Sequence, residues 1–147
     1  MRTRLVVATL IAVLALAGCG TSAITARQLR AKAARPCRLA QRQLSVIPAP
    51  ALPDGAAEFL ARGIAALAPK QAALARLRPS GSLGDSYRRA LAAGDGELAA
   101  LRSAAAALRA GDDPVQTVRR LQLRLTPLEA RATTAWRELG LPACIGT

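Results

Sequence analysis

The sequence predicts an all-α protein, a disulfide-closed up-down bundle of about four helices that follows a cleaved signal peptide. Three observations carry this expectation. Alanine, leucine and arginine, the strongest helix formers, dominate the chain, which holds one Phe, one Trp and one Tyr. Valine and isoleucine are few, which argues against a sheet. Past the N-terminal segment, apolar residues recur at a three-and-four spacing between clear helix stops.

The first element is the expected signal. Met1-Arg2-Thr3-Arg4 is a short basic start, and Leu5 to Ala17 is an uncharged, mostly apolar run of 13 residues. A spanning helix needs about 20, so the run reads as the core of a removable signal over 1–18. It ends in Leu16-Ala17-Gly18-Cys19. These residues look like the lipobox of bacterial lipoproteins, in which a diacylglyceryl group is attached to the cysteine sulfur and the chain is cut before it. The resemblance implies lipidation at Cys19 and a protein held by lipid at the cell membrane, on its extracytoplasmic face.

The segment 19–35 is expected to be the lipidated N-terminus and a basic linker, with the helical domain over 36–147. Arg27, Arg30, Lys32, Arg35, Arg38 and Arg42 fall in the linker and the next turn, with no acid among them. Their spacing is that of one helix face, with Leu29 and Ala33 on another side. Basic clusters beside a membrane attract anionic headgroups, at about 1 kcal/mol per residue. The same residues also suit a solvated tether.

Charge bounds the partners. The chain has 21 Lys+Arg and 9 Asp+Glu; without Arg2 and Arg4 the balance is 19 against 9, about +10. Such a surface favours anionic partners. An exported lipoprotein rarely meets nucleic acid, so anionic lipid, anionic wall polymer or an envelope protein remain as the expected partners.

With Cys19 taken by lipid, Cys37 and Cys144 remain. An even pair in an exported protein reads as a structural disulfide. A metal site would need more ligands, the chain has no histidine, and a redox pair is usually closely spaced.

Punctuation then divides the domain. Pro48, Pro50 and Pro53 mark one loop and Pro79-Ser80-Gly81 a second. In Gly111-Asp112-Asp113-Pro114, glycine stops one helix and aspartate and proline start the next. Gly140 ends the last helix before Pro142. The four stripes are Cys37, Ala40, Leu44, Ile47; Leu60, Ile64, Leu67, Gln71, Leu74, Leu77; Tyr87, Leu91, Gly94, Leu98, Leu101, Ala105, Leu108; and Val118, Leu121, Leu125, Leu128, Ala132, Ala135, Leu139. In an up-down bundle the start of the first helix and the end of the last share one end, which suits a Cys37–Cys144 bond. Pro69 and Pro127 lie inside helical patterns, and Gly94-Asp95-Gly96 threatens to split the third helix. Pro36 either starts the first helix or bends one that began near Arg27.

No catalytic constellation emerges. Without histidine there is no Ser-His or Cys-His pair. The acids are scattered, and the adjacent Asp112 and Asp113 are explained by capping. There is no glycine-rich phosphate loop, and no metal or cofactor is expected. Tyr87 and Trp136 are read as seam residues.

The domain resembles a type of small lipoprotein and exported helical protein of high-GC actinobacteria to which no activity is assigned. The likeness rests on Leu16-Ala17-Gly18-Cys19, Pro36-Cys37-Arg38, Pro48-Ala49-Pro50, Leu77-Arg78-Pro79, Ala110-Gly111-Asp112 and the closing Leu139 to Cys144. It implies a disulfide-closed helical domain and transfers no functional residue. The expected function is a non-enzymatic, membrane-anchored interaction module of the cell envelope. The alternative is an arginine-mediated binder of anionic envelope lipids or wall polymers. A carrier of an apolar ligand is a third reading, disfavoured because alanine-rich seams should leave little room.

Overall fold

The computed structural model describes residues 24–146; the expected signal 1–18 and the lipidation site Cys19 lie outside the described residues. Four helices follow in order: α1 (Ala26–Ser45), α2 (Ala56–Ala75), α3 (Gly81–Arg109) and α4 (Pro114–Glu138). Single 3-10 turns at Pro53–Gly55 and Pro142–Cys144 flank α2 and close the chain.

α1 begins well upstream of Pro36, so most of the expected linker is helix. Thr25 sets its start through a capping box. The Thr25 hydroxyl accepts from the Gln28 amide at 3.3 Å, and the Gln28 side chain accepts from the Thr25 amide at 3.0 Å. Asp113 caps α4 in the expected way, accepting from the Gln116 amide at 2.7 Å, with Pro114 at the first turn.

α3 and α4 both end in Schellman motifs. The Asp112 amide donates to the Ala107 carbonyl across Gly111, and the Leu141 amide donates to the Trp136 carbonyl across Gly140. Both glycines take positive φ, 91° and 66°, which side-chain-bearing residues rarely adopt. Leu141 then packs in the same buried cluster as Trp136, the apolar contact that such a motif favours.

The three mid-helix prolines do not break their helices. Pro36, Pro69 and Pro127 each forfeit one hydrogen bond, leaving the carbonyls of Lys32, Ala65 and Leu123 without that donor. All three of these residues are exposed, so water can satisfy the freed oxygens. α3 likewise runs unbroken through Gly94-Asp95-Gly96.

Contacts fix the up-down order. Along α2 and α3, the Tyr87 hydroxyl donates to the Leu74 carbonyl at 2.8 Å, and Gln71 Nε2 donates to the Leu91 carbonyl at 2.8 Å. Further along, Leu60 clusters with Ala104 and Ala105. Along α3 and α4, Tyr87 meets Trp136 edge to face at 5.9 Å, Gly96 lies against Leu128, and Ala104 clusters with Leu121. Each helix therefore runs antiparallel to the next. α1 packs against α2 and against the closing 3-10 turn.

The core is in two parts. At the end where the chain enters α1, Leu29, Ala33 and Cys37 pack with Leu74, Tyr87, Trp136 and Leu141. Burying each of the leucines contributes about 1.5–3 kcal/mol. At the far end Leu60, Ala104, Ala105 and Leu121 pack without α1. Every residue of the four predicted stripes is buried or half-buried. Both clusters and the disulfide lie within residues 24–146, so the chain from Gly20 onward carries the complete bundle.

Two glycines in helix interiors give a controlled test of packing. Ala is a better helix former than Gly by about 1 kcal/mol. A Cβ at Gly63 would meet nothing within 4 Å, so Gly63→Ala should stabilise by about that amount. A Cβ at Gly94 would sit 2.6 Å from Gln71 Oε1, and Gln71 is held by hydrogen bonds to Leu91 and Asp95. Gly94→Ala should therefore destabilise by about 1–2 kcal/mol despite its helix propensity. Urea unfolding of the two variants checks the opposite signs.

Candidate functional site

The predicted basic residues come together on α1. At 100° per residue, Arg27, Lys32, Arg35, Arg38 and Arg42 fall within an arc of about 140°. The buried stripe of Leu29, Ala33, Cys37 and Ala40 lies on the opposite side of the helix. All six basic residues are exposed, and among the described residues none of them forms an ion pair. Arg30 stands apart from the other five. Its guanidinium lies beside Gly140, at the C-terminal end of α4, where helix carbonyls favour a cation.

The disulfide is present as expected. Cys37 and Cys144 are bonded, with their Cα atoms 4.9 Å apart and a sequence separation of 107. It ties the fourth turn of α1 to the closing 3-10 turn. By the loop-entropy argument a closure this long contributes up to about 4–5 kcal/mol.

A second feature was not predicted. Between the two core clusters lies a groove of about 400 Å³, floored by α3 and walled by α2 and α4. Lys70 and Gln71 face it from α2, Glu97 from α3, and Glu129 and Trp136 from α4, while Cys144 and Ile145 close one end. Gly94 and Ala132 are among its lining, with Gln71 packed over Gly94. The expectation that alanine-rich seams leave little room therefore fails here. α2 and α4 each approach α3, and the small side chains between them leave space unfilled.

Lys70 is buried, at 7 % exposure, and Gln71 at 6 %. Gln71 Nε2 is satisfied by the Leu91 carbonyl and by Asp95 Oδ1 at 3.0 Å. Burial pushes the Lys70 ammonium below its ordinary value, and the Glu97 carboxylate partly offsets this. Burial lifts the Glu97 carboxyl above its ordinary value; Lys70 opposes that shift and Glu129 adds to it. Tyr87, whose ring is core as expected, has its hydroxyl held in the protonated form by burial, with Arg78 opposing. Trp136 serves both the core and the groove wall.

The one hint of the groove in the sequence was polar or missing side chains inside apolar stripes, Gln71 in the second and Gly94 in the third. Lys70 and Glu97 lie one residue off a helical seam and carried no such mark.

Among the described residues no helix is long and apolar enough to cross a membrane, and no group of three His, Cys, Asp or Glu residues could hold a metal ion. No family model, no curated protein and no solved structure matches the chain.

Because its folded pKa lies above the ordinary value, Glu97 contributes stability that is present in acid and lost as pH rises through that folded pKa. The lowered pKa of Lys70 acts in the other direction: its contribution returns as pH climbs toward 10.5. The pair therefore costs most near neutrality. Replacing it by Lys70→Met with Glu97→Gln should stabilise the bundle by about 1–2 kcal/mol at neutral pH. The gain should shrink toward both acid and alkaline pH. Thermal melts across the range check this, and a double variant weaker than the parent at neutral pH would contradict it.

Proposed function

We propose that the protein is a lipid-anchored extracytoplasmic module that works by binding and not by catalysis, and that the basic face of α1 is its contact with anionic headgroups. The observation that supports this reading most is the order of that face. Five exposed cations are fixed on one side of a helix held by a capping box and a disulfide, and none is neutralised by a neighbouring acid. A flexible tether would lose more entropy on docking than a preformed helix does.

Distance also favours lipid over wall polymer. Six residues separate Cys19 from Ala26. The seven steps from Cys19 to Ala26 span at most about 25 Å, so a lipid on Cys19 keeps the start of α1 near the bilayer surface. Screening over about 8 Å at physiological salt leaves attraction effective only at such short range.

A second reading, docking to an envelope protein, has an observation of its own. Val46, Leu52, Phe59 and Val115 are exposed, and the up-down order gathers them at the end of the bundle away from the start of α1. Large exposed apolar side chains grouped in this way are a feature of contact surfaces.

The anchor is tested first. Cys19→Ala should abolish labelling with radioactive palmitate and leave an uncut or mis-cut precursor. Normal labelling of that variant removes the anchoring reading.

For the basic face, the chain from Gly20 onward should co-sediment with anionic vesicles and not with neutral ones. Binding should weaken steeply from about 50 to 500 mM salt, as the Debye length falls from about 14 to 4 Å. Changing Arg27, Lys32, Arg35 and Arg38 together to Ser should remove most of it, at about 1 kcal/mol per residue at low salt. If the quadruple variant binds vesicles as well as the parent, the basic face is not the contact. If it loses vesicles but still retains a protein in envelope pull-downs, the apolar end is the working surface.

A further inference from the structure

The groove between α2 and α4 has the size and the chemistry of a ligand site, and nothing in the basic-face reading uses it. Its volume of about 400 Å³ lies within the range of small-molecule pockets. Leu67, Leu101, Leu125 and Trp136 supply apolar wall. What distinguishes it is charge. The protein carries a formal net charge of +12, and four of its nine acids, Glu58, Asp85, Asp112 and Glu138, are engaged by arginines elsewhere. In the groove the balance is reversed: the carboxylates of Glu97 and Glu129 face one ammonium, that of Lys70.

This imbalance selects among ligands. An anion seeking Lys70 would meet two carboxylates, one of which already interacts with that lysine. A neutral apolar ligand would strip water from Glu97 and Glu129 and return nothing to them. A cation gains from two carboxylates against repulsion from one ammonium, so the charge of the lining favours it. The apolar wall beside the carboxylates then favours a hydrocarbon attached to that cation. Glu129 is exposed and Glu97 half-buried, so a charged head can enter from the mouth while its chain lies inward.

We propose that this groove binds a small amphiphile bearing a protonated amine, with the ammonium between Glu97 and Glu129 and the hydrocarbon against Leu67, Leu101, Leu125 and Trp136. The amine-headed ligand is held by charge complementarity at its head and by burial of its chain.

Trp136, the one tryptophan, lines the groove and reports its occupancy directly. The chain from Gly20 onward would be titrated with octylammonium, octanoate and 1-octanol below their aggregation thresholds. Tryptophan emission would be read alongside calorimetry. Octylammonium should saturate at one per chain and bind about tenfold or more tightly than either of the others. Glu129→Gln, an exposed change that leaves the bundle intact, should weaken octylammonium about threefold to fivefold and leave 1-octanol unchanged. Glu97→Gln should weaken octylammonium further. Octanoate attracted to the arginines of α1 would register in calorimetry without moving Trp136 emission, which keeps the two surfaces apart. Three outcomes overturn the proposal: equal affinity for amine and alcohol, preference for octanoate at Trp136, or no saturation below about 1 mM. An unchanged octylammonium affinity in Glu129→Gln does so as well.

Discussion

The bond between Cys37 and Cys144 decides whether α1 belongs to the bundle. α1 packs along α2 and on the closing 3-10 turn, while α3 and α4 complete the far core without it. Its buried stripe is thin: apart from Leu29, the fully buried side chains are two alanines and the cysteine itself. Such small residues bury little area, so packing alone gives α1 only a modest hold. The disulfide replaces area with a covalent constraint. It also sets the rotation of α1, because the cysteine on the inner face fixes which side the arginines occupy. The basic face is thus oriented from within the core.

The middle of the molecule follows a different rule. A bundle built from larger side chains would close its seams along their whole length. Here a gap remains between two well-packed clusters, and the polar belt of Lys70, Gln71, Asp95, Glu97 and Glu129 gathers around it. Gln71 shows how the belt and the backbone fit each other. Its side chain lies directly over Gly94, and both of its amide hydrogens go to α3. The glycine that threatened to split α3 is the one that makes room for this bridge, and α3 runs unbroken beneath it.

The fold was readable because its signals are local. The glycine stops at 111 and 140, the Asp113 cap and the apolar stripes each depend on a few neighbouring residues, and the structure returns all of them. The start of α1 was open to misjudgement because two local signals compete. Pro36 looks like a first turn, yet Thr25-Ala26-Arg27-Gln28 spells a capping box, and the helix tolerates the proline because the carbonyl it leaves unpaired belongs to the exposed Lys32. The groove was not legible, because a void has no residues of its own. Whether small side chains draw helices together or leave space between them depends on how three helices meet, which no single stripe records.

The reach of the disulfide has a further consequence for how the molecule meets a protease. The bond joins α1 to the last turn, so α2, α3, α4 and every connection between them lie on one covalent ring. The stretch from Val46 to Pro53 is almost wholly exposed and sits on that ring. Exposed connections of this kind are where proteases cut first. A single cut there opens the ring without dividing the molecule. The N-terminal piece that carries α1 and the piece that carries the other three helices remain joined through sulfur, with both core clusters still assembled. One nick leaves the protein in one piece and in shape; parting the two pieces requires a second cut, or a reductant.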